Sequence, residues 1–382
     1  MPVSENDLAL DRAIFELCGL TPLLSMVTPT NVGEARRDFH EGRDPRFEYR
    51  PLPDIEDLQK RLDEIKPERA DDPAIGAIVE GLTKELNLRL EMYRARESER
   101  FFLVSVEMFG QVDEGTFDLA NGILAATRGD AADEDSVSAE EFAELARREL
   151  EHYRKIFPEL TARVEVSGSR PGVMVETGIM YVGHETEVAR NRIQPLLHHE
   201  VGTHLLTFEN GRAQPLHMLA YGLAGYDELQ EALGVLAEHL SGGIPPFRLR
   251  VLAYRVIAAR CRSDGAEFRE TFDRLRALGA PKGTAFSTSM RAYRAGGMTK
   301  DTIYLRGLNR LLQHLAEGGD LESLYAGKIA FETLSLVADL REREVVIEPP
   351  LTPRFLANDL AQSRLAEIQE GRGLLDIEGV AV

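Results

Sequence analysis

Six of the nine histidines, His184, His198, His199, His204, His217 and His239, crowd one stretch of the chain. Inside it runs His199-Glu-Val-Gly-Thr-His204, an H-E-x-x-x-H motif. Neutral imidazoles with one carboxylate are the donors that catalytic zinc sites use while keeping a fourth position open. A glutamate directly after the first histidine lies beside such a metal without binding it. From there Glu200 can take a proton from an attacking water and pass it to a leaving amine. That is the chemistry of metal-assisted amide hydrolysis.

The spacing departs from the usual H-E-x-x-H. On an ideal helix, histidines four apart are offset by about 40°, and histidines five apart by about 140°. Both rings reach one metal only if the helix takes in an extra residue. A π-bulge is therefore expected around Val201 to Thr203, with Gly202 lowering its cost. A third ligand must come from another element. The segment Tyr226 to Leu240 carries Glu228, Glu231 and Glu238 near one face, and spacing alone prefers none of the three. His198 points elsewhere on its helix and reads as a packing residue; His217 and His239 read as core residues or as supports for the ligands.

The elements that position these residues follow from pattern. Arg163 to Ser167 alternates as a strand does, and Gly172 to Thr177 and Ile179 to Val182 follow it. This short sheet feeds the histidine helix, expected over Glu185 to Phe208, where Pro195 marks either a kink or the true start. The carboxylate helix stops at Ser241-Gly-Gly-Ile-Pro-Pro. Upstream, Ser138-Ala-Glu-Glu141 is a capping box opening a helix to about Phe157. Ile75, Ile78, Leu82, Leu86 and Leu90 stripe a helix over Pro73 to Arg96, and Phe101 to Phe109 fits a strand or a buried helix. Residues 128–137 read as an exposed acidic loop. Further helices are expected at 247–263, 266–277, 301–316, 328–341 and 355–371. The fold class is α+β and predominantly helical, with a zincin-like core built on the H-E-x-x-x-H helix and a small sheet. A mainly helical part spans 1–160 and the catalytic core 161–382, a division that still lets the two pack as one unit.

Composition bounds the rest. The chain has 382 residues, 43% hydrophobic and 29% charged, an ordinary globular mixture. A net charge of -19 opposes attraction to nucleic acid or an anionic membrane. No apolar run approaches the roughly 20 residues of a membrane span, and the amino terminus lacks a signal-like core. Cys18 and Cys261 lie far apart, so a cytoplasmic, reducing location is expected.

Leu197-His-His-Glu-Val-Gly-Thr-His204, Asn210-Gly with Gln214-Pro-Leu, Gly222-Leu-Ala-Gly-Tyr226 and Gln230-Glu231 together resemble the bacterial flavohemoglobin expression-modulating QEGLA motif proteins. That family is related to the eukaryotic microtubule-associated tyrosine carboxypeptidases. The resemblance continues through Phe286, Arg291 to Arg294 and Thr299-Lys-Asp-Thr-Ile-Tyr-Leu-Arg-Gly307. It implies a zinc-dependent peptidase with His199, His204 and Glu231 as ligands and Glu200 as base. The chain departs from the motif in reading Gln-Glu-Ala-Leu-Gly, with Ala232 and Gly234 exchanged. It also shows no basic microtubule-binding segment, so the activity class carries over more readily than the substrate.

On this reading the substrate is a peptide or protein C-terminus. The strand Ile179 to Val182 would hold it at a sheet edge. Arg294 or Lys300 would meet its terminal carboxylate, and Tyr304 would donate to the oxyanion. Two other readings stand beside it: a silent regulatory or binding protein that keeps the fold, and a zinc hydrolase of non-peptide amides. Retention of Glu200 argues against the silent one.

Overall fold

A computed structural model describes residues 3–128, 135–168 and 170–376. Most of the acidic stretch expected to be a loop, 129–134, lies outside them. The strands fall where alternation placed them: Arg163–Ser167, Val173–Glu176 and Ile179–Gly183. Their order is a correction. Ile179–Gly183 is the central strand, parallel to Arg163–Ser167 on one side and antiparallel to Val173–Glu176 on the other. It has no free edge to offer a peptide. The cause is the turn at Thr177 (φ 50°) and Gly178 (φ 76°), whose paired positive φ values make a tight hairpin. The hairpin leaves Val173–Glu176 as an edge strand. A second, two-stranded sheet pairs Ser136–Ser138 with Glu187–Ala189.

The histidine helix begins later than its pattern suggested. Glu187–Ala189 is a strand and Arg190–Arg192 a 3-10 turn; the α-helix runs Ile193–His199, with Pro195 in its first turn, where its missing N–H costs nothing. Glu200–Leu205 then forms the expected π-segment, and Leu206–Ala213 resumes the α-helix. The carboxylate helix is Tyr226–Gly242, starting from Gly225 in left-handed conformation.

Local signals explain most other helices. The capping box closes as expected: Ser138 Oγ accepts from the Glu141 N–H, and Glu141 accepts from the Ser138 N–H, opening Ala139–Ile156. Asp72 caps Pro73–Arg94, and the ambiguous apolar run is the helix Glu99–Phe109. Helices follow at Pro246–Ser263, Phe268–Ala277, Ile303–Ala316, Leu334–Glu342 and Asp359–Gln369. The one expected from 328 starts later, because a 3-10 turn occupies Phe331–Thr333. Lys282–Tyr293 is a helix that pattern did not reveal. Its Ser, Thr and Gly residues lower its propensity, and burial of Phe286 and Met290 holds it.

The described residues form two hydrophobic cores. Residues from Val137 to Leu206, with Leu351, make one beneath the sheet. The larger joins the first part of the chain, Leu10 to Ile123, to Leu216 through Leu374. Polar contacts reinforce that join: Asp11 accepts from the N–H groups of His217 and Met218, and Glu85 from that of Gly225. A window within Glu5–His40 reaches a mean hydropathy of 1.3, but half of it is buried. It is divided into Glu5–Leu20, Leu23–Val27 and Val32–His40, and the longest of these helices has 16 residues.

Candidate metal centre and its surroundings

The π-segment turns two imidazoles to one side. His199 and His204 lie with ring centroids 4.9 Å apart, and one nitrogen of each lies with a Glu231 oxygen inside a circle of mutual distances no greater than 4.8 Å. Glu231 Oε2 is 3.8 Å from His199 Nε2 and 3.7 Å from His204 Nε2. Tetrahedral bonds of roughly 2.0–2.1 Å would space neighbouring donors about 3.3 Å apart, so a small inward shift suits a divalent metal. The far side of each ring is already engaged. His199 Nδ1 is 2.8 Å from Glu238 Oε1, and His204 Nδ1 faces Gln230 Oε1 at 3.5 Å. Ring nitrogens held this way present Nε2 inward.

Each candidate ligand has a named partner. Glu238 is fully buried and also accepts from Arg192 (2.5 Å) and Arg248 (2.9 and 3.0 Å). Gln230 is fixed by Thr207 Oγ1 at 2.8 Å. Glu231 is 3.2 Å from Lys300 Nζ, which is itself 2.9 Å from Asp227. Glu228, the other candidate ligand, turns away to pair with Arg306 at 2.5 Å. Gly234 faces His199: a Cβ there would lie 2.7 Å from the ring. At Gly202 a Cβ would meet nothing closer than 3.4 Å, so space is not what requires that glycine.

Charge follows from this packing. Burial opposes ionisation of Glu231, yet Lys300 and the two imidazoles hold its pKa well below the usual carboxylate range. Burial pushes His204 down to about 3. It pulls His199 the same way, but Glu231 and Glu238 override it and lift that ring to about 9; a metal would displace the proton. Glu200 is 7% exposed and is raised to about 7, chiefly by burial, with Glu231 and Glu238 adding and His199 opposing. A carboxylate poised near neutrality is suited to moving a proton.

Of the other residues singled out by sequence, Arg294, Lys300, His198 and His239 are buried, Tyr304 is half-buried and His217 is exposed. Arg294 and Lys300 are 3% and 2% exposed. Lys300 is spent on Asp227 and Glu231, whereas Arg294 Nε and Nη2 have no hydrogen-bond partner among the described residues. Tyr304 lies under Arg255, whose guanidinium is 4.6 Å from the ring centroid. His198 packs edge-on to Phe355, as a packing residue would; His217 is a correction, being neither core nor support but exposed, with its ring against Phe15. Lys328 was missed. It is buried, 5.9 Å from the Phe208 ring and 5.7 Å from Tyr226, and burial lowers its pKa to about 8. With Lys300, Asp227 and the edge strand Val173–Glu176 it lines a cleft. No sequence signal marked it, because only folding brings residue 328 beside residue 226.

A family model described as microtubule-associated tyrosine carboxypeptidase matches residues 37–372. The chain belongs to that family. Microtubule-associated tyrosine carboxypeptidase 1 of Mus musculus is 30% identical over 207 residues, covering 48% of this chain and 42% of the relative. The Homo sapiens protein of the same name is 28% identical over 206 residues, with the same coverage. The chain therefore spans under half the length of these curated relatives.

The family-like segments around the candidate ligands have physical roles. Asn210 clamps two distant loops, donating to the carbonyls of Tyr325 and Leu351 (2.8 Å each) and accepting from the Leu351 N–H. Gln214 repeats the device with Ala326 and Ile347. Gly222, at φ 113°, leaves space that a Cβ would take from the Tyr226 ring at 2.4 Å, which seats the carboxylate helix. Arg291 to Lys300 surrounds Asp301, a carboxylate 3% exposed.

Proposed function

We propose that the chain is a zinc-dependent, carboxypeptidase-like hydrolase of peptide or protein C-termini with a zincin-like core. The observation that supports this most is the convergence of His199, His204 and Glu231 with Glu200 buried at their side. Two imidazoles and one carboxylate with an open fourth position are the donor set of catalytic zinc. Zinc bound there would supply Lewis acidity for activating water and polarising a carbonyl. The chain supplies the rest. Glu200, its pKa raised to about 7, accepts the proton of the attacking water and returns it to the leaving amine. Tyr304, whose ring lies 5.9 Å from Lys300 Nζ, would donate to the developing oxyanion. Val173–Glu176, not Ile179–Gly183, is the strand whose edge lines the cleft and would pair with an extended peptide. A cytoplasmic location fits two cysteines that form no disulfide in this fold.

The family name motivates tyrosine as the released residue. Association with microtubules is not carried over, since the chain spans under half of the relatives so named. The test is cleavage of a peptide library by wild type and Glu200→Gln, with zinc content measured on both. The expected result is equal zinc and a loss of kcat of about 10²–10⁴-fold in the variant. Equal zinc with no Glu200-dependent product from any peptide would leave a binding protein instead.

A further inference from the structure

The two walls of the cleft beside the candidate metal centre belong to different hydrophobic cores. One wall is the corner between the helices Glu5–Leu20 and Leu23–Val27, where Leu17, Cys18, Leu23 and Val27 are buried in the larger core. The other is the edge strand Val173–Glu176, whose Val173 and Val175 pack against the smaller core. The cleft between them has a volume of about 80 Å³. Sites that enclose a ligand run to roughly 300–1,000 Å³. Water fits there, and a peptide does not.

Yet the strand is built to take a partner. Glu176 and Ile179 flank its two-residue turn, and the Gly183 N–H donates to the Gly172 carbonyl at 2.7 Å. The ladder bonds therefore fall on the even positions of the strand. Alternation turns the N–H and C=O of Val173 and Val175 outward, and Val175 lines the cleft.

A single side-chain hydrogen bond closes the mouth. Ser25 Oγ donates to Glu176 Oε2 at 2.5 Å, across the gap between the two cores. The serine side is braced from behind: the Ser25 carbonyl accepts from Arg50 Nη1 and the Met26 carbonyl from Arg96 Nη1, each at 3.2 Å. On the other side Glu176 Oε2 also accepts from Arg170 Nη1 at 2.8 Å. The strand is half-buried along its length and paired on one side, between Gly172 (φ 69°) and the turn at Thr177 (φ 50°) and Gly178 (φ 76°).

The candidate metal centre joins the same two bodies. His199 and His204 lie among Leu197, Val201 and Leu205 of the smaller core, and Glu231 between Leu229 and Leu233 of the larger. There the histidine helix meets the carboxylate helix at Gly234, so the bodies are held together at that end.

We infer that Ser25 and Glu176 form an autoinhibitory latch, which parts to let a peptide take the outward edge of Val173–Glu176. The braced serine corner stays, and the strand yields at Gly172 and at Thr177-Gly178, the positions whose backbone absorbs the change. Substrate binds only the unlatched fraction of the protein, so its apparent affinity falls by that fraction. The inference rests on the peptidase reading and on pairing of the substrate with this strand.

The test is Ser25→Ala, at a residue outside the catalytic group and the substrate strand. With zinc-loaded protein and a blocked tetrapeptide ending in tyrosine, kcat/KM should rise about 10-fold, through KM with kcat unchanged. Hydrogen exchange gives a reading free of activity. Amides of residues 173–177 should exchange about 10-fold faster in Ser25→Ala, and those of Ile179–Gly183 at wild-type rates. A serine that only supports the fold gives an equal or lower kcat/KM, and that outcome overturns the latch. If Ser25→Ala does not fold, Glu176→Gln replaces it, with the same rise expected and an equal or lower value again decisive. If neither wild type nor variant cleaves any peptide, the peptidase reading fails on its own. The latch is then judged by exchange: faster exchange at 173–177 upholds it, and unaltered exchange overturns it.

Discussion

Glu238 stands outside the His199, His204 and Glu231 group and has three partners: His199, Arg192 and Arg248. Its part is to fix the orientation and proton position of one imidazole. Removing such a support typically costs 10–100-fold in metal affinity. Glu238→Gln is thus expected to weaken zinc binding about 10-fold or more in a competition titration, with the fold retained. Unchanged affinity would mean that His199 is positioned by packing alone. The motif glutamates illustrate how far residue types can be read without coordinates. H-E-x-x-x-H marked two ligands and a base, but three glutamates on one helix remained open until the resemblance selected Glu231. Glu231 lies beside both imidazoles, while Glu228 is drawn off by Arg306 and Glu238 by two arginines and His199.

Between elements, the contact of the histidine helix with the carboxylate helix is set by a missing methyl group. Gly234 lies against the His199 ring, where a Cβ would be 2.7 Å from ring atoms. Gly234→Ala should push the ring off its axis and lower zinc affinity about 10-fold, the size of a lost support, as read by the same titration. The exchange of small residues at 232 and 234 relative to the family motif is therefore tied to how closely these two helices approach. Asn210 acts at the same scale. Asn210→Ala strands buried carbonyls of Tyr325 and Leu351, so a loss of about 3 kcal/mol in denaturant unfolding is expected. A loss below about 1 kcal/mol would show that water replaces the amide.

Across the whole molecule, early and late segments share one core, from Ile14, Ile78 and Leu82 to Leu229, Leu233 and Leu311. A fragment beginning at residue 135 would expose the late half of that core and lose the caps from Asp11 and Glu85. It is expected to show no cooperative thermal transition by calorimetry. Acid should also loosen the fold. Burial, with Arg364 nearby, lowers His239 to about 4 from an ordinary 6.5. Its folded pKa lies below its unfolded one, so between pH 6.5 and 4 the unfolded chain holds the proton that the native state refuses. Stability from this residue is complete above 6.5 and falls as pH drops toward 4. His239→Gln should narrow the stability difference between pH 7.5 and pH 5 by about 2 kcal/mol in denaturant titrations. An unaltered slope would place the acid sensitivity elsewhere.

What the residues determined alone is local: the capping box at Ser138, the alternation of three strands, and the extra residue that five-residue spacing forces on a helix carrying two candidate ligands. These follow from backbone periodicity and neighbouring side chains, so they are legible in order along the chain. Which strand is central, where the histidine helix starts, the Lys282–Tyr293 helix, the Lys328 cleft and the Ser25–Glu176 contact across it depend on contacts between residues tens to hundreds of positions apart. Burial and charge pairing decide those, and both are properties of the packed chain rather than of any segment within it.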